Sequence, residues 1–236
     1  MKTFRKIIEF VLSAIFPDRC SVCDEVVETD SLLCDKCRSL IFPIVAPLCH
    51  KCGVSLGEHD DKKCREISAS VIAAYYYRGS VRNLIIDFKE TKSRKYFRFF
   101  ELAFYEKIAT EYADEDFDIA VCVPSSEKGK TTSSIIAGYT AEKFLLDFDK
   151  DVLEKYRETE KQHKLSMEER FVNLENSIRV RNGMEEVVKN KRILLCDDVK
   201  TTGTTLNECV KALYNAGAMS VCCACLAVSD YTVKDK

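Results

Sequence analysis

Residues 193–205 read Ile-Leu-Leu-Cys-Asp-Asp-Val-Lys-Thr-Thr-Gly-Thr-Thr. The apolar run 193–196 predicts a buried strand. Asp197 and Asp198 follow at its carboxyl end, and a hydroxyl-rich loop, Thr201, Thr202, Gly203, Thr204 and Thr205, opens a helix. Open α/β sheets bind ligands at the carboxyl ends of their strands, and helix N-termini offer free N–H groups to phosphate. A loop of small residues lets amides and hydroxyls wrap that phosphate closely. Two acids beside it suit vicinal sugar hydroxyls. The stretch therefore reads as a site for a phosphorylated ribose. An ordinary strand–loop–helix with a Thr-rich cap is the competing reading, and it does not explain the acid pair.

The segment resembles the ribose-phosphate signature of the type I phosphoribosyltransferases. It departs from that pattern at Lys200, where the residue after Val199 is usually apolar. Working outward, a helix over 204–216 with Gly217 at its C-cap and a strand over 221–228 complete a βαβ unit. Upstream, strands are expected at 71–77, 117–123 and 151–156. Helices are expected after Ser80 as N-cap, along Phe97, Phe100, Phe104 and Ile108, and over 133–148. Strands alternating with helices predict an α/β fold, a parallel sheet covered by helices on both faces.

The chain has 236 residues and a formal net charge of −2, so no global field draws it to nucleic acid or membrane. The apolar fraction of 46% suits a packed globular protein. Residues 1–16 carry apolar positions at helical spacing, but the run is too short and too charged to span a bilayer. No small-residue cleavage site is evident, so a signal peptide is not expected. A helix packed on the protein itself is the preferred reading, with a membrane-surface helix behind it.

Of thirteen cysteines, seven lie in the first 64 residues. Cys20-x-x-Cys23 and Cys34-x-x-Cys37 have the spacing of a tetrathiolate structural zinc site. A third knuckle, Cys49-x-x-Cys52, is followed by Cys64 alone, because position 67 holds Ile67 instead of a fourth cysteine. A second zinc needs another ligand. His59 is the best candidate, with His50 and Asp61 behind it, and a ribbon held by packing alone is the alternative. The remaining six cysteines, among them Cys122 and Cys196, read as small buried hydrophobes. With no export signal, a reducing cytoplasm is the expected compartment. The domains expected are a small zinc-ribbon module over 1–68, including the N-terminal helix, and a phosphoribosyltransferase-like domain over 69–236.

A cysteine-knuckle module ahead of such a domain resembles the ComF family. Thr159, Gln162, Leu165, Arg170 and Asn173 match that family's pattern, as do Tyr77, Arg78, Leu84, Ile85 and Lys89. The loop after Val123-Pro124 departs from it, with lysines at best for two arginines and no Phe-Asn-Gln. The resemblance implies that the ligand is phosphoribosyl pyrophosphate with Mg²⁺. Asp197 and Asp198 would hold the ribose and stabilise charge at its reacting carbon, and 201–205 would hold the 5′-phosphate. Ser125, Ser126 and Lys128 would face the pyrophosphate, with Lys89 and Arg157 as weaker candidates. The basic, polar stretch from Arg157 would be a loop closing over it, ahead of a helix capped by Ser166 and Glu169. The resemblance also implies a role in DNA uptake during natural competence, with incoming single-stranded DNA as partner; a structural module that docks a competence helicase is a further reading, which no residue tests. Lys89, Lys92, Arg94, Lys95 and Arg98, interleaved with aromatics, are a candidate DNA contact, although Phe97 and Phe100 fit the core face of a helix better. Transfer to an acceptor is an open alternative, and no residue identifies that acceptor.

Overall fold

The computed structural model describes residues 17–28, 31–61, 64, 67–126, 129–156 and 177–229. The expected N-terminal helix, the capping box at Ser166 and Glu169, Lys128, Arg157 and the matched stretch from Thr159 to Asn173 lie outside the described residues.

Seven strands and six α-helices are described: β1 (Ser70–Tyr76), β2 (Ile119–Cys122), β3 (Asp147–Phe148), β4 (Leu153–Lys155), β5 (Ile178–Val180), β6 (Arg192–Lys200) and β7 (Ser220–Val228), with α1 (Asp35–Arg38), α2 (Gly79–Thr91), α3 (Arg94–Glu111), α4 (Thr132–Phe144), α5 (Glu185–Val188) and α6 (Thr204–Asn215). Five strands form one sheet in the order β1-β7-β6-β2-β3, and every pairing in it is parallel. The connection β6–α6–β7 runs one way along the sheet, and β2–α4–β3 runs the other. Right-handed crossovers in opposite directions place α6 and α4 on opposite faces. The helix α3 shares the α4 face, where Phe97 stacks on Tyr139 at 5.3 Å and the Tyr105 hydroxyl donates to the Tyr139 carbonyl. Where the crossover direction changes, between β6 and β2, the carboxyl ends of the strands leave a crevice.

Sequence pattern explains most of this. Val81, Leu84, Ile85 and Phe88 on α2, and Phe97, Phe100, Phe104 and Ile108 on α3, are the buried stripes of the two helices. Each fully buried Phe stabilises by about 1.5–3 kcal/mol. Cys222, Cys223 and Cys225 line β7 and are buried, as small hydrophobes are.

Four boundaries differ from expectation. Ser80 does not cap α2: Arg78 holds the N-cap position, and the buried Ser80 hydroxyl donates to the Cys37 carbonyl at 2.6 Å. The helix expected to reach 148 stops at Phe144, because Leu145 turns left-handed (φ 56°) and Asp147 and Phe148 then join the sheet beside β2. The strand near 153 is one arm of an antiparallel hairpin, β4 with β5, which the sequence reading did not pair. Finally, β6 runs on past Cys196, since Asp197, Val199 and Lys200 keep their pairing with β7, so the acid pair lies inside the strand.

The cysteine-rich module seats on β1. Between its two knuckle pairs, the Ile44 amide donates to Ala74 O and the Tyr76 amide donates to Phe42 O, both at 2.9 Å. Lys107 on α3 donates to the Ile44 carbonyl at 2.9 Å.

Candidate functional site

Asp197 and Asp198 project from β6 at the crevice. Asp197 Oδ1 accepts from the Ser133 hydroxyl at 2.8 Å and from the Asp198 amide at 2.9 Å. Ser133 stands in the first turn of α4, so the two halves of the sheet meet at this carboxylate. Burial, and then the neighbouring Asp198 charge, push the Asp197 carboxyl up to about 7. Asp198 Oδ1 pairs with Lys89 Nζ at 2.8 Å. Burial lowers the Lys89 pKa, but Asp198 and then Asp197 outweigh it, and the net shift is upward. Neither Lys89–Asp198 nor Ser133–Asp197 was legible as a pair in the sequence. The only signal was that Lys89 ends an otherwise apolar helical stripe.

The loop 201–205 follows directly. Gly203 caps α6 with φ +79°, a conformation side chains rarely adopt. The Thr202 and Thr204 hydroxyls lie 2.9 Å apart, and the Thr204 amide donates to Thr202 Oγ1. Lys200, which breaks the resemblance, is buried at 2% exposure beneath this loop.

Ser125 and Ser126 line a separate cleft of about 380 Å³, between the turn after β2, the start of α4 and the β4–β5 hairpin. Thr131, Lys150, Lys155 and Arg181 also line it, and Lys89 does not. The structure therefore brings Lys89 to the acid pair and leaves the two serines with the hairpin. A capping box between Thr131 and Ser134 fixes the start of α4 beside them.

Two metal-ligand clusters stand in the N-terminal module: Cys20, Cys23, Cys34 and Cys37, and Cys49, Cys52, His59 and Cys64, with the ligand atoms of each within 4.8 Å of one another. A tetrahedral zinc with Zn–S of about 2.3 Å requires sulfurs about 3.8 Å apart. Cys23 and Cys34 sulfurs lie at 3.6 Å, and Cys49 and Cys64 at 4.0 Å. Burial and then the neighbouring thiols push Cys37 up to about 12, so four thiolates here need a cation. His59 Nε2 is buried without a hydrogen-bond partner, while Nδ1 lies 3.3 Å from Asp61 Oδ1. A carboxylate behind a ligating histidine is the usual orienting arrangement, so Asp61 stands behind the ligand set. His50 turns elsewhere, to Ser70 Oγ at 3.0 Å and Glu111 Oε2 at 3.3 Å. Both clusters fit structural zinc. The other candidate interface, α3, buries Phe97 and Phe100 in the core, leaving Arg94, Lys95, Arg98 and Phe99 on a groove shared with Arg38. No helix among the described residues is long and apolar enough to cross a membrane.

Comparison with known proteins agrees with this architecture. Residues 11–68 match the double zinc ribbon domain, and residues 106–236 match the phosphoribosyl transferase domain. The orotate phosphoribosyltransferases of Helicobacter pylori strains G27 and P12 are each 43% identical over 54 residues, 23% of this chain and 26% of theirs. The chain thus spans about a quarter of the length of these relatives. Among solved structures, the allosteric regulatory enzyme of purine biosynthesis is 24% identical, covering 52% of this chain and 24% of that one, with a TM-score of 0.35. A purine phosphoribosyltransferase from Pyrococcus horikoshii is 19% identical, covering 58% of this chain and 77% of that one, with a TM-score of 0.37. The domain match extends over more than half of the chain, which therefore belongs to the phosphoribosyl transferase domain family and carries a double zinc ribbon ahead of that domain.

Proposed function

We propose that this chain binds phosphoribosyl pyrophosphate with Mg²⁺ at Asp197, Asp198 and the loop 201–205, and that it serves, as the ComF resemblance implies, in the cytoplasmic handling of incoming DNA. The observation that carries the reading is the acid pair on β6 directly ahead of the hydroxyl loop that opens α6. Two free carboxylates would repel a polyphosphate. Here Lys89 offsets Asp198, and burial weakens the acidity of Asp197, so the site meets the anion with less than its two formal negative charges. Amides and hydroxyls of 201–205 would take the 5′-phosphate, and the two aspartates the ribose hydroxyls. Mg²⁺, when bound with the ligand, supplies charge neutralisation at the phosphates. Ser125 and Ser126 would face the pyrophosphate.

The cleft beside Ser125 leaves room for an acceptor. In transfer, the bond from C1 to the pyrophosphate oxygen breaks with its electron pair leaving on pyrophosphate. The acceptor's lone pair then forms the new bond, and the carboxylates stabilise the cationic carbon between. The test is calorimetric titration of zinc-loaded protein with phosphoribosyl pyrophosphate and Mg²⁺. Saturable binding that is lost in Asp198→Asn supports the site, and no binding by the wild type rejects it.

A second reading, contact with single-stranded DNA, is favoured by the groove joining Arg38 of the ribbon to Arg94, Lys95 and Arg98 of α3. Phosphates would track the cations, and Phe99 would offer a stacking face. Charge reversal at Lys95 and Arg98 should weaken salt-sensitive binding of an oligonucleotide and spare sugar-phosphate binding. Unchanged oligonucleotide affinity would remove this groove as the contact.

A further inference from the structure

Two of the places where the chain departs from its resemblance, Ile67 and Lys200, both approach Gly203 beneath the loop 201–205. A Cβ built on Gly203 would lie 3.0 Å from Ile67 Cδ1, 3.1 Å from Lys200 Cε and 3.4 Å from Ile67 Cγ1. Both side chains are buried, at 4% and 2% exposure. The loop therefore rests on one aliphatic wedge with a member from each module. One residue further, the Ser68 amide donates to Asn207 Oδ1 on the first turn of α6 at 3.1 Å. The ribbon is thus fastened to the loop by packing at Gly203 and to the helix behind it by a hydrogen bond.

Ile67 stands three residues after Cys64, a member of the second metal cluster. Three residues of chain span at most about 10 Å, so the position of Ile67 is tied to that of Cys64. Once Cys64 is fixed by a metal, the wedge is held from the ribbon side, while Lys200 is held by its strand pairing with Val228.

We propose that Ile67 is a positioning residue for the phosphate loop, and that the Cys49, Cys52, His59 and Cys64 cluster acts through it, so that metal in the second ribbon sets how firmly 201–205 is held for its ligand. The affinity part of this inference rests on the reading of the loop as a sugar-phosphate site, while the mechanical part does not. Lys200 presents its Cε to the same point of the loop.

Full-length, zinc-loaded protein is compared with Ile67→Ala and Ile67→Val. Amide hydrogen exchange of 201–205, with no ligand present, is the first readout. Exchange is expected to rise about tenfold or more in Ile67→Ala and to stay near wild type in Ile67→Val, with zinc content unchanged in both. His59→Ala, which removes a ligand without touching the wedge, is expected to raise loop exchange as Ile67→Ala does. The second readout is titration with phosphoribosyl pyrophosphate and Mg²⁺, where Ile67→Ala is expected to bind about tenfold more weakly, since misplacements of about 1 Å in such sites cost up to about a hundredfold. Loop exchange equal to wild type in Ile67→Ala overturns the proposal whatever the titration gives. A rise in Ile67→Ala but not in His59→Ala overturns the link to the metal. Wild-type protein that fails to bind the ligand overturns the reading of the site, and the exchange data still decide the mechanical part.

Discussion

Replacing Asp197 by Asn should stabilise the protein, and do so increasingly as pH rises. The native carboxyl titrates near 7 because burial and Asp198 oppose its charge, whereas an unfolded Asp titrates near 3.9. Between those values the native state holds a proton that the unfolded state has lost. Wild-type stability therefore falls as pH rises from about 4 to about 7, then levels off. Three units at about 1.36 kcal/mol each set an upper bound of about 4 kcal/mol. By pH 5.5 about half of that loss has already occurred, so the advantage of Asn should grow by about 2 kcal/mol between pH 5.5 and 8. Asn keeps Oδ1, which can still accept from Ser133 and from the Asp198 amide, so the hydrogen bonds offset little of the gain. Urea unfolding of zinc-loaded protein at both pH values measures the difference. A variant less stable than wild type at pH 8, or an advantage that does not change with pH, would refute the placement of a strained carboxylate here. The gain should come with loss of ligand binding, the trade expected where a functional site stores unfavourable charge.

Other consequences are separable. Lys89→Met removes the cation facing Asp198 and should shift the titration of Asp197 further upward, seen by carboxyl carbon NMR, with a loss of about 1 kcal/mol at neutral pH. Gly203→Ala places a methyl group against Ile67 and Lys200 at positive φ and should cost about 1–3 kcal/mol in chemical denaturation. Metal analysis should find about two zinc ions per chain, and Cys64→Ser should lower that by about one while the first cluster keeps its metal. Asp118→Asn breaks a pairing with Arg192 that holds the aspartate down to about 2, chiefly through its hydrogen bonds. The pair is largely exposed, so the loss should be small and constant from pH 5 to 8, where the aspartate is ionised in the native and unfolded states alike.

The glycine turn after β6, the parallel sheet and the cysteine knuckles were legible because each depends on local pattern: an apolar run, a glycine at a forced turn, a fixed ligand spacing. His59 was found the same way, by counting a missing ligand. What stayed hidden depends on contact across the fold. The Lys89–Asp198 pair joins residues more than a hundred positions apart, and Ser133 reaches Asp197 from the next helix. The β4–β5 hairpin has arms too short to show alternation. The true end of α4 depends on Leu145 accepting a left-handed conformation, against its propensity, so that Phe148 can pack on Gly138. Ser80 carries a good cap signal but spends its hydroxyl on Cys37 instead, because the ribbon arrives there.

That ribbon also guards the border of the sheet. β1 is the outermost strand on its side, and residues 42–44 occupy its free edge with hydrogen bonds at Ala74 and Tyr76. Those three residues lie between cysteines of the two metal clusters and have no sheet of their own to hold them. Zinc depletion would unclip them and bare a row of unpaired amides on a buried, apolar strand, a ready template for self-association. The metals would then govern colloidal behaviour as well as folding: starved of zinc, the protein should be lost to aggregates before its phosphoribosyl transferase domain has melted.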